Sequence, residues 1–221
     1  MNNSNKYYII KDLLYNHKTI PIGVVISKDK SNKYDYIPQI FIHEEYNKKI
    51  IKNLIKSEQT SESFFIYDNY NGQKDKYLDK LFQKSYSLRI FDMQYIARHS
   101  NSHTPTKLIN NVEYLIILQE DLQINRMKIY EEFKDNLKIE FTLFCKFLDE
   151  YTDNNHALII HLKSQSDILQ DKLFWYNISD NNNSFKMCSE EAWNYNNEHL
   201  IKENNNIMYQ NKILFDRNFL F

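Results

Sequence analysis

The sequence predicts an α+β fold, a mainly antiparallel sheet flanked by helices, and three observations lead there. Several short apolar runs suited to strands precede the first long helical pattern. The stretch from Leu137 to Leu162, LKIEFTLFCKFLDEYTDNNHALIIHL, has the form of a β-hairpin. Helical patterns flank that hairpin instead of alternating with strands as in a doubly wound parallel sheet. The 221 residues suit a single globular domain, 1–221, large enough to bury a core. No composition shift marks a linker; if two lobes exist, they are 1–124 and 125–221.

In chain order, Lys6–Leu14 (KYYIIKDLL) and Ile20–Ser27 (IPIGVVIS) read as two strands joined by YNHKT. Gly23 inside the second predicts a bulge or a close backbone approach. Pro21 belongs at the strand's start, where a missing N–H does least harm. Tyr36–Ile42 reads as a third strand, placed at a sheet edge by Pro38. Glu44–Ile55 has helical spacing, with Tyr46, Ile50, Ile51, Leu54 and Ile55 on one side. Ser63–Tyr67 (SFFIY) is a short strand, DNYNGQ with Gly72 a turn, and Asp75–Phe82 a helix. Tyr86–Ala97 leans to strand, and RHSNSHTPT is a loop by composition. Asn111 is placed to cap a helix through Val112, Leu115, Ile116, Gln119 and Leu122, continuing towards Phe133.

Within the central stretch Leu137, Ile139, Phe141, Leu143, Cys145 and Phe147 alternate with Lys138, Glu140, Thr142, Phe144 and Lys146. A period of two puts the first six on one strand face. The rival is a helix, since Tyr130, Phe133, Leu137, Phe141, Phe144, Leu148 and Tyr151 step by three and four. That helix leaves Ile139 and Leu143 on its far side, and the strand is preferred. YTDNN is the turn and HALIIHL the second strand. Asp167–Tyr176 reads as a short helix, with Ser164 and Asp167 spaced as a capping box. Ser189 caps a later helix whose first turn holds Glu190 and Glu191, followed by Trp193, Asn197, Leu200 and Ile201. Lys212–Phe215 is read as a last strand.

Hydrophobic residues at 42% with 15% aromatics indicate a folded chain. The abundance of Asn, Ile, Lys and Tyr suits an A/T-rich genome. A formal net charge of −1 creates no global field towards nucleic acid or an anionic membrane. Cys145 and Cys188 lack paired spacing and are expected to be buried free thiols. Neither a signal peptide nor an apolar run of the ~18 residues a membrane span requires is apparent, so a cytoplasmic protein without membrane contact is expected.

The most site-like cluster is Arg98, His99 and His103 in the polar loop, able in principle to do metal-free acid–base chemistry on a phosphodiester. A solvated loop is the plainer use of the same residues. His156 and His161 are five apart, on opposite faces of a strand, and cannot act as a pair. The carboxylate pairs Glu120-Asp121, Glu131-Glu132, Asp149-Glu150 and Glu190-Glu191 lack nuclease spacing. Gly23 and Gly72 are the only glycines, which sets aside glycine-rich phosphate loops. No cofactor or metal is predicted. The 17 tyrosines and 14 phenylalanines are assigned mostly to the core, with base stacking or protein binding as other uses.

The opening KYYIIKDLLYNHKTIPIGVVISKD resembles the start of an uncharacterised bacterial domain family encoded beside HipA-like kinases. The later SNSHTPTKLINNVEYLIILQEDL is similar to that family's polar segment and helix. The resemblance implies a partner or regulator in a toxin–antitoxin or defence setting, with no catalytic residues to carry over. The expected function is therefore a non-enzymatic protein-binding regulator, such as an antitoxin, a defence component or an inhibitor of one, from a bacterium or mobile element. Its partner would be another protein. The alternatives are a metal-independent phosphodiesterase or nuclease using Arg98, His99 and His103, or a nucleic-acid-binding protein.

Overall fold

The computed structural model describes residues 5–27, 32–57, 62–68, 76–84, 88–93, 112–153, 155–179 and 184–203. The chain forms two compact units, Met1–Asp12 with Tyr95–Asn181, and Leu13–Gln94 with Asn182–Phe221. Helix α1 (Asn5–Tyr15) contributes residues to both.

The unit built on Leu13–Gln94 holds a four-stranded sheet of β1 (Ile22–Ser27), β2 (Ile42–His43), β3 (Ser63–Asp68) and β4 (Leu88–Met93), in the order β2-β1-β3-β4. Every pairing in it is parallel. Parallel neighbours need long crossovers, and α2 (Lys48–Ser57) and α3 (Lys76–Lys84) lie in the two that follow β2 and β3. Their apolar stripes bury Ile50, Ile51 and Leu54, and Leu78 and Leu81. Every residue of β3 is buried, as in a sheet covered on both faces. Helix α6 (Glu190–Glu203) closes the unit in sequence. Ser189 accepts at Oγ from the Ala192 N–H (3.3 Å), so the predicted cap is in place.

The other unit holds an antiparallel sheet, β5 (Tyr114–Ile117), β6 (His156–His161) and β7 (Leu173–Asn177), in the order β5-β6-β7. Helices α4 (Gln123–Leu137) and α5 (Phe141–Tyr151) pack Ile129, Phe133, Leu137, Phe144 and Leu148 against Ile117, Leu158 and Ile160. Fold class is thus mixed, helices with one parallel and one antiparallel sheet, and the expected predominance of antiparallel pairing is corrected.

Five element readings change. Lys6–Leu14 is helical: Tyr7, Ile10 and Leu14, three and four apart, are its buried stripe, and they override the β propensity of YYII. Leu137–Phe147 is not a strand but the end of α4 and the start of α5, and the rival helical stripe is the buried one. The helix's misfit, Leu143, is simply exposed. Residues 114–117 form β5 where a helix was expected, and the helix begins only at Gln123. Asp167–Tyr176 holds a 3-10 turn and then β7; Ser164 Oγ accepts from the Ser166 N–H (3.3 Å) and caps no α-helix. The strand expected over Tyr36–Ile42 is instead turn and the 3-10 segment Gln39–Phe41, with only Ile42 in β2, at the sheet edge. The Gly72 turn, the Asn111 cap, the 98–106 loop and Lys212–Phe215 lie outside the described residues. Among the described residues no helix is long and apolar enough to cross a membrane.

Gly23 meets the expectation of a close approach. It is the register partner of Phe64, and a methyl built on it falls inside the Phe64 ring, itself fully buried. Gly23→Ala should therefore lower stability by about 3 kcal/mol, the upper end for overpacking, in urea denaturation. Adding Phe64→Leu should recover part of the loss.

Between α4 and α5, Lys138 sits in the left-handed region (φ 54°), where its N–H donates to the Lys134 carbonyl (2.7 Å). Its side chain forms an exposed ion pair with Asp167 (3.0 Å), of little energetic weight. Relief of the backbone cost should dominate, so Lys138→Gly is expected to raise stability by about 1 kcal/mol on thermal denaturation.

Both cysteines are free thiols. Burial pushes the Cys188 thiol up to about 12, against a weaker opposing hydrogen bond from the Gly23 backbone. Its native form therefore stays protonated where an unfolded thiol, near ~8.5, ionises. The associated stability is complete below ~8.5 and is lost as pH rises towards about 12. Alkylation at mildly alkaline pH, read by mass spectrometry, should label Cys188 slowly in the native chain and rapidly once the chain is unfolded.

Candidate active site at the carboxyl ends of the parallel strands

From β1 the chain moves to one side to form β2, then returns to place β3 on the other side of β1. The connections leaving β1 and β3 diverge, and open parallel sheets bind ligands outside the strand carboxyl ends at such a switch point. The last residues of these two strands, Ser27 and Asp68, are register partners.

Their side chains meet. Ser27 Oγ donates to Asp68 Oδ2 at 2.9 Å, and Tyr34 Oη donates to the same oxygen at 3.0 Å. Ser27 and Asp68 have no exposed surface and Tyr34 has 1%. A carboxylate this deep is tolerated only when hydrogen-bonded, and two hydroxyl donors supply that here. Tyr34 ends the 3-10 turn Asn32–Tyr34 that follows β1. Its ring lies 6.4 Å from that of Tyr36, which stacks on Phe185 at 5.0 Å; Tyr15 meets Phe185 edge-on at 5.3 Å. Burial, then the neighbouring Asp35, pushes the Tyr36 phenol far above its usual range, so it stays neutral. The segment bearing Phe185 is tied down by the Met187 N–H to the Tyr36 carbonyl and the Ser189 N–H to the Pro21 carbonyl, both 2.8 Å. The Ile40 N–H adds a bond to Asn196 Oδ1 on α6 (3.2 Å).

Other buried carboxylates are structural. Glu120 accepts from the Leu122 N–H (3.0 Å) and Asn125 Nδ2 (3.1 Å), closing the start of α4. Beside it Arg126 donates to the Glu120 carbonyl and to Asp149, both at 2.6 Å. Asp12 accepts from Tyr176 Oη (2.6 Å) and from Ser179 Oγ, which fastens α1 to β7. The carboxylate pairs noted in the sequence act as ion-pair and helix-start charges: Asp149 pairs with Arg126, Glu131 with Lys134, and Glu190 and Glu191 open α6.

His156 and His161 are each engaged separately. His156 stands edge-on to Trp175 (5.2 Å), with Nδ1 2.7 Å from the Asp153 carbonyl. His161 stacks on Tyr114 (4.7 Å), with Nε2 3.9 Å from Glu113. Arg98, His99 and His103 lie outside the described residues. Among the described residues no group of three or more His, Cys, Asp or Glu is placed to hold a metal ion. Sequence reasoning missed Asp68, whose one signal is an aspartate closing the fully apolar run SFFIY.

No protein-family model matches the chain. Relatives by sequence are viral: the uncharacterized protein L437 of Acanthamoeba polyphaga mimivirus is 26% identical over 204 residues, covering 82% of this chain and 72% of that protein. Uncharacterized protein 075L of Invertebrate iridescent virus 6 is 28% identical over 177 residues, covering 73% and 68%. Among solved structures, the genome packaging NTPase B204 from Sulfolobus turreted icosahedral virus 2, in complex with ATP-γS, matches with a TM-score of 0.55 at 13% identity. The match covers 80% of this chain and 94% of that one. The same NTPase with sulfate matches at 0.51 and 12% identity. These findings correct the resemblance to a bacterial HipA-associated domain, because the relatives are viral proteins. They also overturn the reading as a non-enzymatic regulator of a toxin–antitoxin or defence system, since the structural neighbours are nucleotide-bound NTPases. The chain is similar in sequence to uncharacterized viral proteins and in fold to a viral genome packaging NTPase.

Proposed function

We propose that the chain is an NTPase of the viral genome-packaging type, with its nucleotide site outside the carboxyl ends of β1 and β3. The observation that carries this reading is Asp68, an aspartate at a strand's carboxyl end on the switch point, held by two hydroxyls. Fold likeness to a packaging NTPase bound to ATP-γS supports it.

The residues fit one half of a magnesium nucleotide. Magnesium takes oxygen ligands, commonly one or two carboxylates together with substrate phosphates and waters. Asp68 supplies one such carboxylate, its Oδ2 held by the Ser27 and Tyr34 hydroxyls. When bound, the ion would neutralise charge developing on the transferred phosphoryl group. The other half differs: Gly23 lies inside β1 beneath Phe64, and Gly72 is the one other glycine, so phosphates would be held by something other than a glycine-rich loop. What the chain's own groups contribute is a buried oxygen ligand whose orientation two hydroxyls hold.

Binding of a fluorescent ATP analogue and release of phosphate test the proposal. Wild-type protein should bind in a magnesium-dependent manner and hydrolyse ATP. Asp68→Asn should keep its fold by circular dichroism and lose about a hundredfold or more in turnover. A folded wild-type protein that binds no nucleotide, or an Asp68→Asn variant with unchanged turnover, would sink it.

A further inference from the structure

Resting on that NTPase reading, we infer that Tyr34 and Ser27 are positioning residues that set the rotation of the Asp68 carboxylate. A carboxylate turns easily about its last torsion, whose minimum is broad. Here two donors from different elements, the end of β1 and the 3-10 turn after it, converge on the single oxygen Oδ2 at 2.9 and 3.0 Å. Two bonds to one oxygen fix which oxygen faces the hydroxyls and which plane the group adopts. All three residues are buried, so bulk water does not compete for the bonds.

Tyr34 is itself braced. Its ring packs beside Tyr36, and Tyr36 stacks on Phe185, so the hydroxyl stands at the end of an aromatic row. A serine or tyrosine in this place would serve the fold alone if only burial mattered. The convergence on one oxygen of the residue at the strand's carboxyl end is what a preorganised ligand to a cation requires, since such outer partners orient the group that touches the metal.

Tyr34→Phe keeps the ring and deletes the hydroxyl, and Ser27→Ala deletes the other donor. The magnesium concentration that half-saturates binding of a fluorescent ATP analogue should rise about tenfold or more in each, with turnover falling by a similar factor. Ser27→Thr, which restores a hydroxyl on a β-branched frame suited to a strand, should recover most of the loss. Tyr176→Phe is the control, because it removes another tyrosine–aspartate bond, that to Asp12. It should lower the melting temperature and leave the magnesium midpoint where it was. If wild-type protein binds nucleotide but Tyr34→Phe loses only thermal stability, with its magnesium midpoint unchanged, positioning is overturned and the NTPase reading survives. If folded wild-type protein binds no nucleotide at all, the NTPase reading falls and the positioning role with it.

Discussion

The pairing of β1 with β3 depends on one steric fact, the seating of the Phe64 ring on a residue with no side chain. Gly23 opposite Phe64 fixes the register, and four residues on the same ladder sets Ser27 opposite Asp68. Strand side chains alternate, so a slip of one residue would turn the aspartate to the other face of the sheet and away from both hydroxyls. A rare glycine in a glycine-poor chain is thus a packing device, and the polar cluster at the strand ends follows from it.

That cluster is held from a second direction by aromatic packing. Tyr34, Tyr36 and Phe185 form a row of rings, and backbone hydrogen bonds at Met187 and Ser189 anchor the segment that supplies the last of them. Some of the aromatic residues assigned to the core by composition are buried, Phe64, Phe65, Phe133 and Phe144 among them, and in this row the rings also orient a polar group. Packing and site geometry are the same set of contacts.

Elements with strong and unambiguous periods were legible in the sequence. The spacing of Ile50, Ile51 and Leu54 in α2, the uninterrupted SFFIY of β3 and the cap at Ser189 all survive in the structure. Legibility failed where two periods coexisted. Leu137 and Phe141 belong to both the helical stripe and the strand alternation; burial of Phe133, Leu137, Phe144 and Leu148 together decided for helices. Local β propensity misled at Tyr7–Ile10, and a presumed cap concealed the short β5. Parallel pairing leaves no local turn signal, which is why the first sheet's topology could not be read. The site was illegible for a related reason: Ser27, Tyr34 and Asp68 come together through a strand crossover, and no spacing in the sequence encodes that. Glycine scarcity argues against a glycine-rich phosphate loop but carries no information on the sheet topology.

The division of the chain also has a consequence for synthesis. The unit with the parallel sheet is assembled from Leu13–Gln94 and Asn182–Phe221, with residues 95–181 belonging to the other unit. All four parallel strands have left the ribosome long before α6 is made. The bond from the Ile40 N–H to Asn196 joins groups 156 residues apart. Until α6 arrives, an early sheet must wait without its closing helix, and closing so long a loop costs entropy before any contact rewards it. The other unit builds its sheet and helices within 112–179, but its Asp12–Tyr176 bond joins groups 164 residues apart. Each unit therefore ends on a contact between its earliest and its latest segments, and neither can be sealed until the chain is nearly all made.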